Sequence, residues 1–130
     1  EEAPLPGLGA IAGQCTRLRP IVKVPHVGWN SLEVTRPSAL LDGIPDGTQV
    51  YFTHSYAAPV TAACVAATTH GERFAAAVER DHVWGVQFHP EKSGRAGLKI
   101  LENFVKRIGE RRTWNPEPGT PNAEPRTSNL

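Results

Sequence analysis

The stretch Val83-Trp84-Gly85-Val86-Gln87-Phe88-His89-Pro90-Glu91-Lys92-Ser93-Gly94 constrains this chain more than any other. An apolar strand runs straight into a histidine and a carboxylate two residues apart, and a helical pattern opens at the glycine that follows. Side chains at i and i+2 of an extended backbone point the same way, and Pro90 holds its own φ and offers no competing N–H. His89 and Glu91 can therefore share one surface at a strand end. A carboxylate that holds one imidazole nitrogen leaves the other free to take a proton from a nucleophile. The plainer reading of the same spacing is a solvated surface pair, or a carboxylate at a helix start.

The rest of the chain reads as strands closed by one helix. Glu1 to Gly13 is rich in Pro, Gly and Ala and is expected to be loop; Thr16 to Val24 predicts one or two short strands broken at Pro20. Pro25 to Asn30 reads as irregular. Ser38 to Gly43 predicts a short helical turn, Asp46-Gly47 a turn, and Gln49 to His54 a buried strand. Thr61 to Thr69 predicts another strand. Phe74 to Glu79 is alanine-rich enough for a helix, yet the joint at Arg80-Asp81 predicts a strand pairing with Val83–Phe88. From Gly94 onward Leu98, Leu101, Val105 and Ile108 recur at helical spacing, with Ile100 and Phe104 widening the stripe, which predicts one helix of about 15 residues packed on the sheet. Residues 1–112 are thus expected to be part of one domain. Residues 113–130, with four prolines among polar residues, are expected to be a disordered tail.

Composition narrows the function classes. A net charge of +1 implies no nucleic-acid partner, and no apolar run approaches the ~18 residues of a membrane span. The N-terminus lacks the basic start and apolar core of a signal peptide, so a cytoplasmic location is expected. Cys15 and Cys64 lie apart without C-x-x-C spacing, indicating neither a zinc site nor a disulfide framework. A cluster of His26, His54 and His89 is the remaining metal alternative, although no two of them show a short ligand spacing. No cofactor is expected.

Val83 to Glu91 resembles the closing active-site strand of class I glutamine amidotransferases, whose triad is Cys, His and Glu. Pro25-His26-Val27-Gly28-Trp29-Asn30, Tyr51-Phe52-Thr53-His54-Ser55-Tyr56 and Lys92-Ser93-Gly94-Arg95-Ala96-Gly97-Leu98 narrow the likeness to the glutaminase branch that serves imidazole glycerol phosphate synthesis, and the match runs from about Leu5 to Val105. The resemblance implies a flavodoxin-like α/β layer fold of which this chain holds the later strands and the final helix. It implies His89 as general base and acid, Glu91 as its orienting group, and Ser55 and Tyr56 beside the glutamine pocket. Trp29, Asn30, Tyr51 and Lys92 would then face a cyclase partner in a heterodimer, where ammonia leaves.

Each assignment has a plainer alternative. Ser55 and Tyr56 could be strand-end residues satisfying local turns, Trp29 could plug the edge of a small sheet, and Lys92 could be a solvated charge. Nothing resembles the family's Gly-x-Cys-x-Gly turn, and neither Cys15 nor Cys64 has a glycine two residues later. The chain also contains no methionine. It is therefore expected to be the C-terminal part of a longer glutaminase, inactive by itself. The rival expectation is a catalytically dead module that binds and regulates the cyclase.

Overall fold

The computed structural model describes residues 9–113, with side chains described to residue 109. In chain order the elements are β1 (Thr16–Arg17), β2 (His26–Ser31), β3 (Glu33–Val34), a 3₁₀ turn (Ala39–Leu41), β4 (Gln49–His54), β5 (Tyr56–Ala57), β6 (Cys64–His70), β7 (Glu72–Arg80), β8 (Val83–Val86), a second 3₁₀ turn (Pro90–Lys92) and α1 (Gly94–Thr113). Strands β3-β6-β7-β8 form a four-stranded sheet, β2 pairs with β4 and β1 with β5; every described pairing is antiparallel.

The β6–β7 hairpin turns at Gly71, whose φ of +76° suits glycine; an added Cβ would lie 2.8 Å from a Val22 methyl. The β7–β8 joint falls at Asp81, also with positive φ, as Arg80-Asp81 suggested. Cys64 to Thr68 are consecutively buried, as are Phe74 to Ala77. Alternation is lost there because both faces are covered, and that is why β7 is a strand despite its alanines. One face bears the main core; the other bears a smaller cluster of Cys64, Ala67 and Ala75.

Phe52 of β4 stands at the centre of the main core. It is fully buried and meets Phe74 and Phe88 edge-on, with ring centroids 5.8 and 6.0 Å apart.

Two expectations need correction. His26–Ser31 is not irregular but a strand, in continuous register with β4 from His26 opposite His54 to Ser31 opposite Gln49. The strand tolerates Gly28 and Asn30 because β4 supplies the ladder. The helix is 20 residues long, and of the expected stripe only Ile100 is buried, with Phe104 meeting Trp84 of β8 edge-on at 5.8 Å. Leu98 and Val105 are more than half exposed, whereas Gly97, Ile100 and Asn103 are buried. The Asn103 amide explains the rotation, because it donates to the carbonyls of Leu40 in the first 3₁₀ turn and of Asp42 just after it, at 2.9 and 2.8 Å. The expected tail lies outside the described residues from 114 on.

Phe52→Ala should lower stability by about 3–5 kcal/mol, since it empties the centre of the core. Leu98→Ala should change it by no more than about 0.5 kcal/mol. Urea denaturation of both variants checks the contrast.

Candidate active site

The corner after β8 is held by backbone bonds to β4. His89 N–H donates to the Tyr51 carbonyl at 2.9 Å. The Ser93 hydroxyl donates to the His89 carbonyl at 2.6 Å and accepts from the Tyr51 N–H at 3.0 Å. Ser93 is buried, so one hydroxyl satisfies two main-chain groups that would otherwise be stranded. Helix α1 starts at Gly94 and runs so close to the turn that a Cβ on Gly97 would overlap the Pro90 carbonyl oxygen.

From this anchored corner the two chemical side chains face outward. His89 Nδ1 donates to Glu91 Oε2 at 2.8 Å, the two being 38% and 59% exposed. The hydrogen bond from His89 chiefly holds the Glu91 carboxyl below its usual range. With Nδ1–H committed to the carboxylate, Nε2 carries the lone pair that can accept a proton.

Tyr51, Trp29 and Lys92 gather next to this pair. Trp29 lies opposite Tyr51 in the β2–β4 ladder with ring centroids 6.0 Å apart, edge to face. Lys92 Nζ sits 5.9 Å from the Tyr51 ring centroid, within cation–π reach. Trp29 is 55% exposed, so it is no core plug.

Asn30 turns the other way. Its amide donates to the Thr69 carbonyl and to His26 Nε2, and its oxygen accepts from Ser31 N–H. Ser55 and Tyr56 lie just past the end of β4, tied to β1 through Leu18 N–H donating to the Ser55 carbonyl at 2.8 Å. No described contact joins them to His89 or Glu91.

Sequence reasoning assigned no role to Ser93 or Gly97. The signal was present, because a small hydroxyl and a glycine at helical spacing after the His-Pro-Glu corner mark a close crossing.

Three other histidines meet behind β4. His26 is buried, stacked on His70 at 4.0 Å and packed on Phe52, while its Nδ1 lies 2.9 Å from His54 Nε2. His70 is half-buried and its Nε2–H donates to the Lys23 carbonyl. The metal alternative fails on this geometry, since the rings bond to one another and His89 is elsewhere. Among the described residues no group of three His, Cys, Asp or Glu could hold a metal ion.

Burial, reinforced by His70 and His54, lowers the pKa of His26 from 6.5 to about 4. Burial lowers that of His54 as well. Between those two His26 values the unfolded chain takes up a proton that the folded chain refuses.

These clusters make two measurable differences. Ser93→Ala should cost about 2 kcal/mol by stranding two backbone groups, and Gly97→Ala about 2–3 kcal/mol or more by forcing α1 off the turn, both read from urea midpoints. Stability should also fall as pH drops from about 6.5 toward 4, by up to about 1.4 kcal/mol per pH unit, and level off below that window. Denaturation at about pH 7 and about pH 5 should show the loss, and His26→Asn should reduce it.

Residues 9–108 match the family model for glutamine amidotransferase class-I. The chain belongs to the class-I glutamine amidotransferase family. Among curated relatives, the imidazole glycerol phosphate synthase subunit HisH of Xylella fastidiosa is 47% identical over 108 residues, covering 82% of this chain and 54% of the relative. The protein of that name from Synechococcus is 49% identical over 117 residues (85% and 54%), and that from Methanocaldococcus jannaschii 40% over 107 residues (82% and 55%).

The chain thus spans about half the length of these relatives. A crystal structure from Thermoplasma acidophilum, described as a candidate GMP synthase component, superposes with a TM-score of 0.61 at 18% identity, covering 77% of this chain and 50% of that one. That likeness gives an α/β fold, in keeping with the family match. Among the described residues no helix is long and apolar enough to cross a membrane.

Proposed function

We propose that this chain is the His- and Glu-bearing part of the glutaminase subunit of imidazole glycerol phosphate synthase, which hydrolyses glutamine and passes ammonia to a cyclase partner. The observation that carries the reading is the 2.8 Å bond from His89 Nδ1 to Glu91 on a corner anchored to β4. The names of the relatives supply the branch.

The nucleophile would be a cysteine on a segment that the longer relatives carry outside the matched part. Cys64 is buried in β6 and hydrogen-bonded to the Ala66 carbonyl, which is no place for an attacking thiolate. His89 Nε2 would take the thiol proton as sulfur attacks the glutamine side-chain amide, then deliver it to departing ammonia. Water, deprotonated by the same nitrogen, would cleave the thioester and release glutamate. Glu91 holds the ring in the productive tautomer and steadies the imidazolium.

The outer side of α1 supports a larger assembly. Leu98, Leu101, Val105 and Ile108 leave an apolar stripe open to solvent, of the kind a companion segment of the domain covers. Ser55 and Tyr56 would line the glutamine pocket, while Trp29, Tyr51 and Lys92 would face the cyclase along the ammonia exit; Asn30, expected with them, is turned toward His26 and Thr69 instead. A heterodimer working in the cytoplasm without a cofactor is the corresponding setting.

The chain alone should release no glutamate from glutamine above a no-enzyme control. Supplied with the cysteine-bearing half of a relative, by fusion or in trans, it should gain glutaminase activity. His89→Asn should abolish that activity, and Glu91→Gln should reduce it less. Equal activity of the parent and His89→Asn would overturn the triad. A reconstituted protein that binds the cyclase without hydrolysing glutamine would favour a dead binding module.

A further inference from the structure

The hydrogen bonds behind β4 run in one direction only. Asn30 Nδ2 can only donate, and it does so to His26 Nε2 at 3.2 Å. His26 Nδ1 must then carry the ring's proton and donate it to His54 Nε2 at 2.9 Å. His54 Nδ1–H in turn donates to the Tyr56 carbonyl at 2.8 Å, an atom that can only accept. Both ends of the chain are therefore decided independently, and they agree on the tautomer of each ring between them.

The amide of Asn30 is itself oriented by its other bonds, since its oxygen accepts from Ser31 N–H and its nitrogen also donates to the Thr69 carbonyl. One end of the series lies beside Trp29 on β2. The other end lies in the turn that holds Ser55 and Tyr56.

The surroundings keep the rings in place. Phe52 of β4 and His70 of β6 stack on His26, and Phe74 of β7 meets both His26 and His54 edge-on. The titratable groups that act on His26 across these strands are His54 and His70. A further proton on His54 Nε2 would set two N–H groups against each other in a gap of 2.9 Å, and one on His26 Nε2 would do the same against the Asn30 amide at 3.2 Å. The series works only while both rings are neutral.

We propose that Asn30, His26 and His54 form a one-directional relay of positioning residues that ties the Trp29-bearing strand to the Tyr56 carbonyl and so sets the Ser55–Tyr56 turn for glutamine binding. The role in glutamine binding rests on the glutaminase reading above. The relay itself does not. Protonation of His54 Nε2 on acidification would break the relay at the His26–His54 link and uncouple the turn from β2, leaving the His89–Glu91 corner in place.

Imidazole nitrogen NMR of the full chain near neutral pH tests the direction. Both His26 and His54 should carry hydrogen on Nδ1 and none on Nε2, and a proton on Nε2 of either ring would overturn the relay. Asn30→Leu should then shift the backbone amide signals of Ser55 and Tyr56 while leaving those of Glu91 and Lys92 in place. Unmoved signals at the turn would show that nothing is transmitted and would overturn the proposal without any appeal to activity.

In the protein reconstituted with the cysteine-bearing half, His26→Phe should raise KM for glutamine about 10-fold with kcat nearly unchanged, the size expected for losing one positioning hydrogen bond. His26→Asn, which keeps a donor near Nδ1, should restore most of it. An unchanged KM in a folded His26→Phe variant overturns the role in substrate binding. Failure of the unsubstituted reconstituted protein to release glutamate instead counts against the glutaminase reading, and the NMR results then decide the relay alone.

Discussion

The close approach of α1 to the turn at Pro90 is the constraint on which the candidate site depends. Gly97 lets the helix backbone come against the Pro90 carbonyl, and from that position the helix start brings the Ser93 hydroxyl between Tyr51 and His89. The hydroxyl and the bond from His89 N–H to the Tyr51 carbonyl lock the strand-to-helix corner onto β4. His89 and Glu91 then have little to do except meet. Their orientation comes from main-chain bonds, which leaves the side chains free for chemistry. A base mounted this way keeps its aim through the proton transfers asked of it.

Much of this was legible in the sequence, for identifiable reasons. The His-x-Glu corner is a local device, and two-residue alternation places both side chains together whatever surrounds them. The turns at Gly43, Gly47, Gly71 and Asp81 declare themselves through residues that accept positive φ. Strand β7 is readable as such because the joint at Arg80-Asp81 outweighs the helical preference of alanine.

Other parts were not legible because they depend on partners distant in the chain. Strand β2 reads as irregular until β4 lies beside it, and Gly28 and Asn30 conceal it further. The helix stripe from Leu98 to Ile108 packs only through Ile100 and Phe104, and the rest of the packed face was chosen by Gly97 and Asn103, one glycine and one amide. The histidines are the clearest case. His26, His54 and His70 share no short spacing, and only the antiparallel register of β2 with β4, together with the end of β6, brings the three rings into one cluster.

The alanines of the β6–β7 hairpin have a consequence for how this fold can vary. Ala66, Ala67, Ala75, Ala76 and Ala77 are all buried, on a layer with apolar clusters on both sides. Their methyl groups act as spacers of minimum thickness, so the distance between the two clusters is about as small as a sheet allows. A valine at any of these positions would overfill a layer that is already buried on both sides. The hairpin is therefore a gauge in the mechanical sense, and tolerance for change is expected in the loops and on the outer helix face, with very little in this thin central layer.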